Sequence, residues 1–156
     1  MRADGAAIAA RRKQSARHFA AQELSRRTEK VIKTLCKLET LTPLHRHKLR
    51  IAVKKIRYAS DFFISFFPDQ SSKRRRKEFA KILEKLQSEL GKLNDIRAHK
   101  KLAANYIRPA SQERMQVPKA FAMGMIAGQE GDKIKKLMSE ARKAGKELSR
   151  SRCFWR

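Results

Sequence analysis

The chain has 156 residues, enough for one domain with a modest core, and carries 39 Lys and Arg against 15 Asp and Glu, a formal net charge of +24. A surplus of that size opposes compaction by self-repulsion and points to a polyanionic partner: nucleic acid, an anionic membrane surface or a phosphate polymer. Apolar residues make up 41% of the chain and recur at helical spacing, which argues against wholesale disorder.

The opening MRADGAAIAARRKQSARHFAAQ is Ala- and Arg-rich, as an organelle transit peptide is. It lacks a clear cleavage signal and merges into a longer helical pattern, so it reads as the first helix. That first segment runs from about Ala6 to Glu39, with Leu24, Val31, Leu35 and Leu38 as a narrow apolar stripe and Cys36 beside it as a core residue. Glu23–Arg27 and Glu29–Lys33 are i,i+4 pairs in the favourable direction. TLTP ends the segment: Thr42 suits an N-cap, and Pro43 the first helical position of the next.

The second segment spans Pro43 to about Phe67 and stops at Pro68. Its closing aromatics, Phe62, Phe63, Phe66 and Phe67, read as core. The third runs from Ser72 to about Ile107 on a stripe of Phe79, Ile82, Leu83, Leu86, Leu90, Leu93 and Leu102, the three-and-four spacing of a buried helix face. Gly91 interrupts it and marks close approach by a neighbouring backbone or a kink. Pro109 to Pro118 is the longest irregular stretch, and the fourth segment runs from Pro118 to about Leu148. There Ala120, Gly124 and Gly128 make a small-residue groove, and the tail SRSRCFWR either folds back on the bundle or frays over 149–156. Four helices on short connections give an all-α fold, an antiparallel four-helix bundle forming a single domain over 1–156.

The stretch HKLRIAVKKIRYASD in the second segment carries the most information. At about 100° per residue, with His47 as zero, Arg50, Lys54 and Arg57 fall near about 300°, 340° and 280°. Leu49, Ala52, Val53, Ile56, Ala59 and Phe63 occupy the opposite face, between about 120° and 240°. The four nitrogen-rich side chains form a row about 15 Å long, along which linked phosphates meet a cation at nearly every turn. Arg offers a planar fork to phosphate oxygens and Lys a mobile point charge. His47 donates from one ring nitrogen when neutral and from both when protonated beside a polyanion. Charged rows on amphipathic helices are usually solvated surface; the whole-chain charge and the scarcity of acids here favour a binding row. Asp61, one turn beyond Arg57, is the row's only carboxylate and is placed to orient that arginine.

These residues resemble the signature helix of the CHAD family, the conserved histidine α-helical domain. In that pattern a His is followed by Arg, Lys, Arg and Tyr, here His47, Arg50, Lys54, Arg57 and Tyr58. A second motif, LQSELGKLNDIRAH, is similar to the family's Leu-Gln, Leu-Gly, Leu-Asn-Asp series, filled by Leu86, Gln87, Leu90, Gly91, Leu93, Asn94 and Asp95. The resemblance covers roughly residues 15–135 and implies an all-helical fold that binds inorganic polyphosphate in a basic channel. It also implies association with polyphosphate granules and with CYTH-type triphosphate-processing domains. A full domain of this family has two related halves, and this chain has length for one, resembling the second. It is then a fragment, a degenerate protein, or a half-domain that pairs as an isologous homodimer. Asp61 stands where the family often has Glu.

Catalytic signals are few. GMIAGQEGDK lacks the spacing of a phosphate loop and its following Ser or Thr. His45 and His47 point in different directions on a helix, and His99 reads as surface, so no metal site is expected. No acidic cluster is present to hold the magnesium of phosphoryl transfer. Cys36 and Cys153 form neither a metal-spaced pair nor a secretory framework, which fits a reducing cytosol. No apolar run reaches the roughly 20 residues of a membrane span, and basic residues lie on every segment, so a membrane role is not expected. The sequence therefore describes a non-catalytic, cofactor-free polyphosphate binder of the cytoplasm. Non-specific nucleic-acid binding is the rival reading, since phosphate contacts alone give salt-sensitive, sequence-blind affinity. His47, Arg50, Lys54 and Arg57 are the principal contacts. Arg26, Arg27 and Lys33 on the first segment, with Lys85, Lys92 and Arg97 on the third, are further candidates. Tyr58, Asp61, Gln87, Asn94 and Asp95 support them; Asp95 is placed for a cap or an ion pair with an arginine of a neighbouring helix.

Overall fold

The structure is a computed structural model that describes the backbone of residues 3–106 and 116–156, and the side chains of 12–98 and 131–156. Four α-helices account for most of it: α1 (Ala3–Leu35), α2 (Pro43–Phe62), α3 (Gln70–Tyr106) and α4 (Gln116–Arg150). Single 3₁₀ turns, Leu38–Thr40 and Ile64–Phe66, follow α1 and α2. Among the described residues there is no strand, and no helix is long and apolar enough to cross a membrane.

Cross-helix pairings fix the topology. His47 meets Asn94 while Arg57 meets Gln87, so α2 and α3 run antiparallel. Lys85 approaches Glu140 and Glu147 of α4, and between them Arg142 pairs with Glu39 in the turn that follows α1. Farther along α1, Ser25 meets Trp155. Each neighbour thus runs opposite to the last, and α1 and α3 lie diagonally across the core. The antiparallel bundle expected from the sequence is present.

The core is the sum of the four apolar stripes. Leu24, Val31 and Leu35 of α1 meet Leu49, Val53 and Ile56 of α2 and Phe79, Leu83, Leu86, Leu90 and Leu93 of α3. Leu137, Ala141, Ala144 and Leu148 of α4 close the ring. Gly145 lets α4 lie close on α1, since a β-carbon there would stand 3.3 Å from Leu35 Cδ1.

Local chemistry sets the ends. The Thr42 hydroxyl accepts from the His45 N–H at 3.3 Å with Pro43 at the first turn, the cap read from the sequence. Asp69 does the same for α3, accepting from the Ser72 N–H at 2.8 Å and the Ser71 hydroxyl at 2.6 Å. That cap starts the helix at Gln70, earlier than the Ser72 expected. The second segment also breaks at Phe62, before its expected end at Phe67.

Two core expectations are corrected. Cys36 is exposed, because α1 ends at Leu35 and the chain turns so that Leu38 takes the inward place. Of the four phenylalanines after α2, Phe67 is buried, Phe63 and Phe66 are half-buried, and Phe62 projects into solvent. The tail folds back and does not fray: Phe154 and Trp155 pack edge-to-face with each other and with Phe79. The Trp155 indole N–H donates to Ser25 Oγ at 2.8 Å, and Ser72 Oγ donates to the Phe154 carbonyl at 2.8 Å. The surroundings of Leu102, Ala120, Gly124 and Gly128, and the Pro109–Pro118 stretch except its helical Gln116–Pro118, lie outside the described residues.

Candidate functional site

The α2 row and the second motif on α3 face each other across one open groove. Arg50 and Arg57 line it from α2, and Glu84, Gln87, Ser88, Gly91, Lys92 and Asp95 from α3. Antiparallel packing produces this register, bringing residue 47 opposite 94, 50 opposite 91 and 57 opposite 87.

Neutral groups hold these cations. A ring nitrogen of His47, Nδ1, lies 3.2 Å from Asn94 Oδ1. Arg57 donates through Nη1 to Gln87 Oε1 at 3.3 Å. Arg50 lies over Gly91, where a β-carbon would stand 3.5 Å from its Nε; that Nε–H is buried with no acceptor. The close approach that Gly91 permits is thus by an arginine side chain, and α3 continues through it as a helix. Lys54 is exposed on the outer edge of the row, its ammonium 5.5 Å from the Tyr58 ring centroid, a cation–π contact. Among the described residues none of the four is ion-paired to a carboxylate, although Glu84 and Asp95 line the same groove. Asp61 does not pair with Arg57, because Gln87 holds that guanidinium from across the groove. Asp95 sits exposed at the rim, and no ion pair joins it to an arginine of a neighbouring helix among the described residues.

The outlying candidates separate. Lys92 lines the groove but is tied to Glu89 at 2.8 Å. Lys85 faces α4, 3.8 Å from Glu140 and 3.6 Å from Glu147, and does not belong to the site. Arg97 is exposed on α3, and Lys33 is exposed on α1, diagonal to α3. Arg26 and Arg27 both engage Glu23, at 2.8 Å and 2.6 Å, and line a second groove, between α1 and α2, with Lys30, Lys48 and Lys55. Arg26 first, then Arg27, holds the Glu23 carboxyl down to about 2 against the cost of burying it. Lys48 and Lys55 were legible only as a pair seven residues apart on one side of α2. Among the described residues no group of three or more His, Cys, Asp and Glu is placed to hold a metal ion.

Among the described residues the arrangement presents Arg50 and Arg57 held in place, with His47 and the exposed Lys54 in the same file and no ion-paired carboxylate. That layout is suited to holding an anion. The family model of the CHAD domain matches residues 2–104. The chain belongs to the CHAD family. The match takes in α1, α2 and α3 up to Ala104, with both motifs, and stops short of α4, so it begins earlier and ends sooner than the resemblance suggested. No curated protein and no solved structure matches the chain.

Proposed function

We propose that this CHAD protein binds inorganic polyphosphate in the α2–α3 groove, without catalysing a reaction on it. The carrying observation is that three side chains of the row are held in place by neutral partners. Arg26, Arg27, Lys85, Lys92 and Arg142 are each spent on a carboxylate. His47, Arg50 and Arg57 are positioned by Asn94, Gly91 and Gln87, none of them charged, so the two guanidinium charges stay available. A buried Arg50 Nε–H without acceptor costs free energy in the empty site. An anion drawing the guanidinium outward relieves that cost. Phosphate oxygens match the arginine fork, and cations about one turn apart meet roughly every second phosphate of an extended chain.

The test is binding of long-chain polyphosphate at near-physiological salt, with single-stranded DNA of matched charge as competitor. Arg50→Glu with Arg57→Glu is expected to cut affinity at least about tenfold more than Lys136→Glu with Lys143→Glu. Equal losses, or equal displacement by DNA, would favour diffuse basic binding of nucleic acid instead.

A further inference from the structure

The exposed large hydrophobic residues of the described structure are Phe19 at 60%, Leu44 at 51%, Ile51 at 37%, Tyr58 at 55% and Phe62 at 75%. Four of the five lie on α2. Measured from His47, Leu44, Ile51, Tyr58 and Phe62 fall within about 20° to 60°, a stripe beside the phosphate row and outside the α2–α3 groove. Phe19 extends the stripe from α1, its ring 6.3 Å from that of Phe63, which in turn is 5.1 Å from Phe62. A chain carrying +24 has ample polar surface with which to cover one helix face. A column of exposed apolar side chains left open on it, closing up at Phe62, Phe63 and Phe19, points to an interaction surface.

The spacing says what shape fits it. Leu44, Ile51 and Tyr58 recur every seven residues, as do Lys48 and Lys55 along one edge, and His47 and Lys54 along the other. This is one apolar position per heptad, half of a coiled-coil seam, with cations on either side. A helix laid along it would meet an apolar side chain every second turn and a positive charge between. From Leu44 to Phe62 the strip is about 27 Å long, five turns of a partner. The charge says what chemistry that partner brings. Lys48 and Lys55 are joined across the α1–α2 groove by Lys30 and by Arg26 and Arg27, which share the Glu23 carboxylate. Asp61 is the single acid in the other edge's column, at its far end. A second copy of this chain would set lysines against lysines along the Lys48–Lys55 edge. A lipid surface would have to accept a strip only about 40° wide, where interfacial helices bury a broad apolar face.

We infer that the outer face of α2 docks an acidic amphipathic helix of a partner protein, its apolar stripe on Leu44, Ile51, Tyr58 and Phe62 and its flanking carboxylates on Lys48, Lys55 and Lys54. The inference does not rest on the polyphosphate reading: the surface shares Lys54 with that row but uses neither Arg50 nor Arg57. The probe is a labelled synthetic peptide of about three heptads, with Leu at the core positions and Glu at the flanking ones. A peptide of the same composition with scrambled order controls for bulk charge. The full-length chain is expected to bind the heptad peptide and raise its helicity by circular dichroism, and to bind the scrambled peptide at least about tenfold more weakly. Ile51→Ser with Phe62→Ser leaves every charge in place and alters only exposed side chains; it is expected to cost about tenfold for the heptad peptide while the protein's own helix signal is unchanged. Equal affinity for the two peptides, or no loss in the double variant, would overturn the inference in favour of simple electrostatics. Self-association by sedimentation, or binding to phosphatidylglycerol vesicles, abolished by the double variant while the heptad peptide fails to bind, would overturn it in favour of a second copy or a membrane.

Discussion

Arg50 rests on Gly91: its Nε lies 3.5 Å from the point where a β-carbon would stand. That separation is ordinary van der Waals contact, so a methyl group fits and a larger side chain does not. Gly91→Ala is expected to stabilise the fold by about 0.5–1 kcal/mol through helix propensity, with polyphosphate affinity retained. Gly91→Leu is expected to displace the guanidinium and weaken binding at least about fivefold. Urea unfolding and polyphosphate titration of both variants decide it; equal binding by both would mean that Arg50 owes nothing to its seat on α3.

Gln87 and Asn94 offer a sharper test, because neither is charged. Replacing each with Leu removes the acceptor for Arg57 and the partner of His47 and leaves the net charge untouched. Each substitution is expected to weaken polyphosphate binding by about three- to tenfold, the range of one polar contact, with the salt dependence of affinity unchanged. A flat response would show that the cations act by number and not by position.

The tail is a structural element. Phe154 is buried against Phe67, Phe79 and Trp155. Phe154→Ala is expected to cost about 3–5 kcal/mol in urea unfolding, as removal of a large core aromatic does. A loss under about 1 kcal/mol would place the tail outside the cooperative core.

Periodicity made the helices and most of the core legible, because Leu24, Val31, Leu83, Leu86 and Leu90 bury for the same reason that they recur. The row on α2 was legible too, since four side chains within a narrow sector of one helix need no tertiary information. What sequence could not supply was partnership. Lys85 and Arg50 look alike in one dimension, yet one is turned toward Glu140 and Glu147 of α4 and the other onto Gly91. Asp61 looked placed for Arg57 because both lie on one helix, and Gln87 holds the arginine from across the groove. Phe62 was lost to the core because α2 ends there and only Phe67 of that run turns fully inward.

Glu23 ties acid sensitivity to α1. Its carboxyl is held down to about 2, first by the Arg26 hydrogen bond and then, against the cost of burial, by Arg27. A folded-state value below the unfolded one contributes stability that is complete above the unfolded value and disappears as pH falls through the folded one. The wild-type chain is therefore expected to exceed Glu23→Gln in stability at about pH 6, and the gap to close between about pH 4.5 and about pH 2. Asp69, held below the usual carboxylate range first by the Ser71 hydroxyl and then by the Ser72 N–H, adds acid sensitivity of the same sign to both proteins and cancels in the comparison. Urea midpoints for the pair across that window measure the gap. A difference constant with pH would mean that Glu23 acts by packing, and that its two arginines are as free to meet an anion as Lys48 and Lys55 beside them.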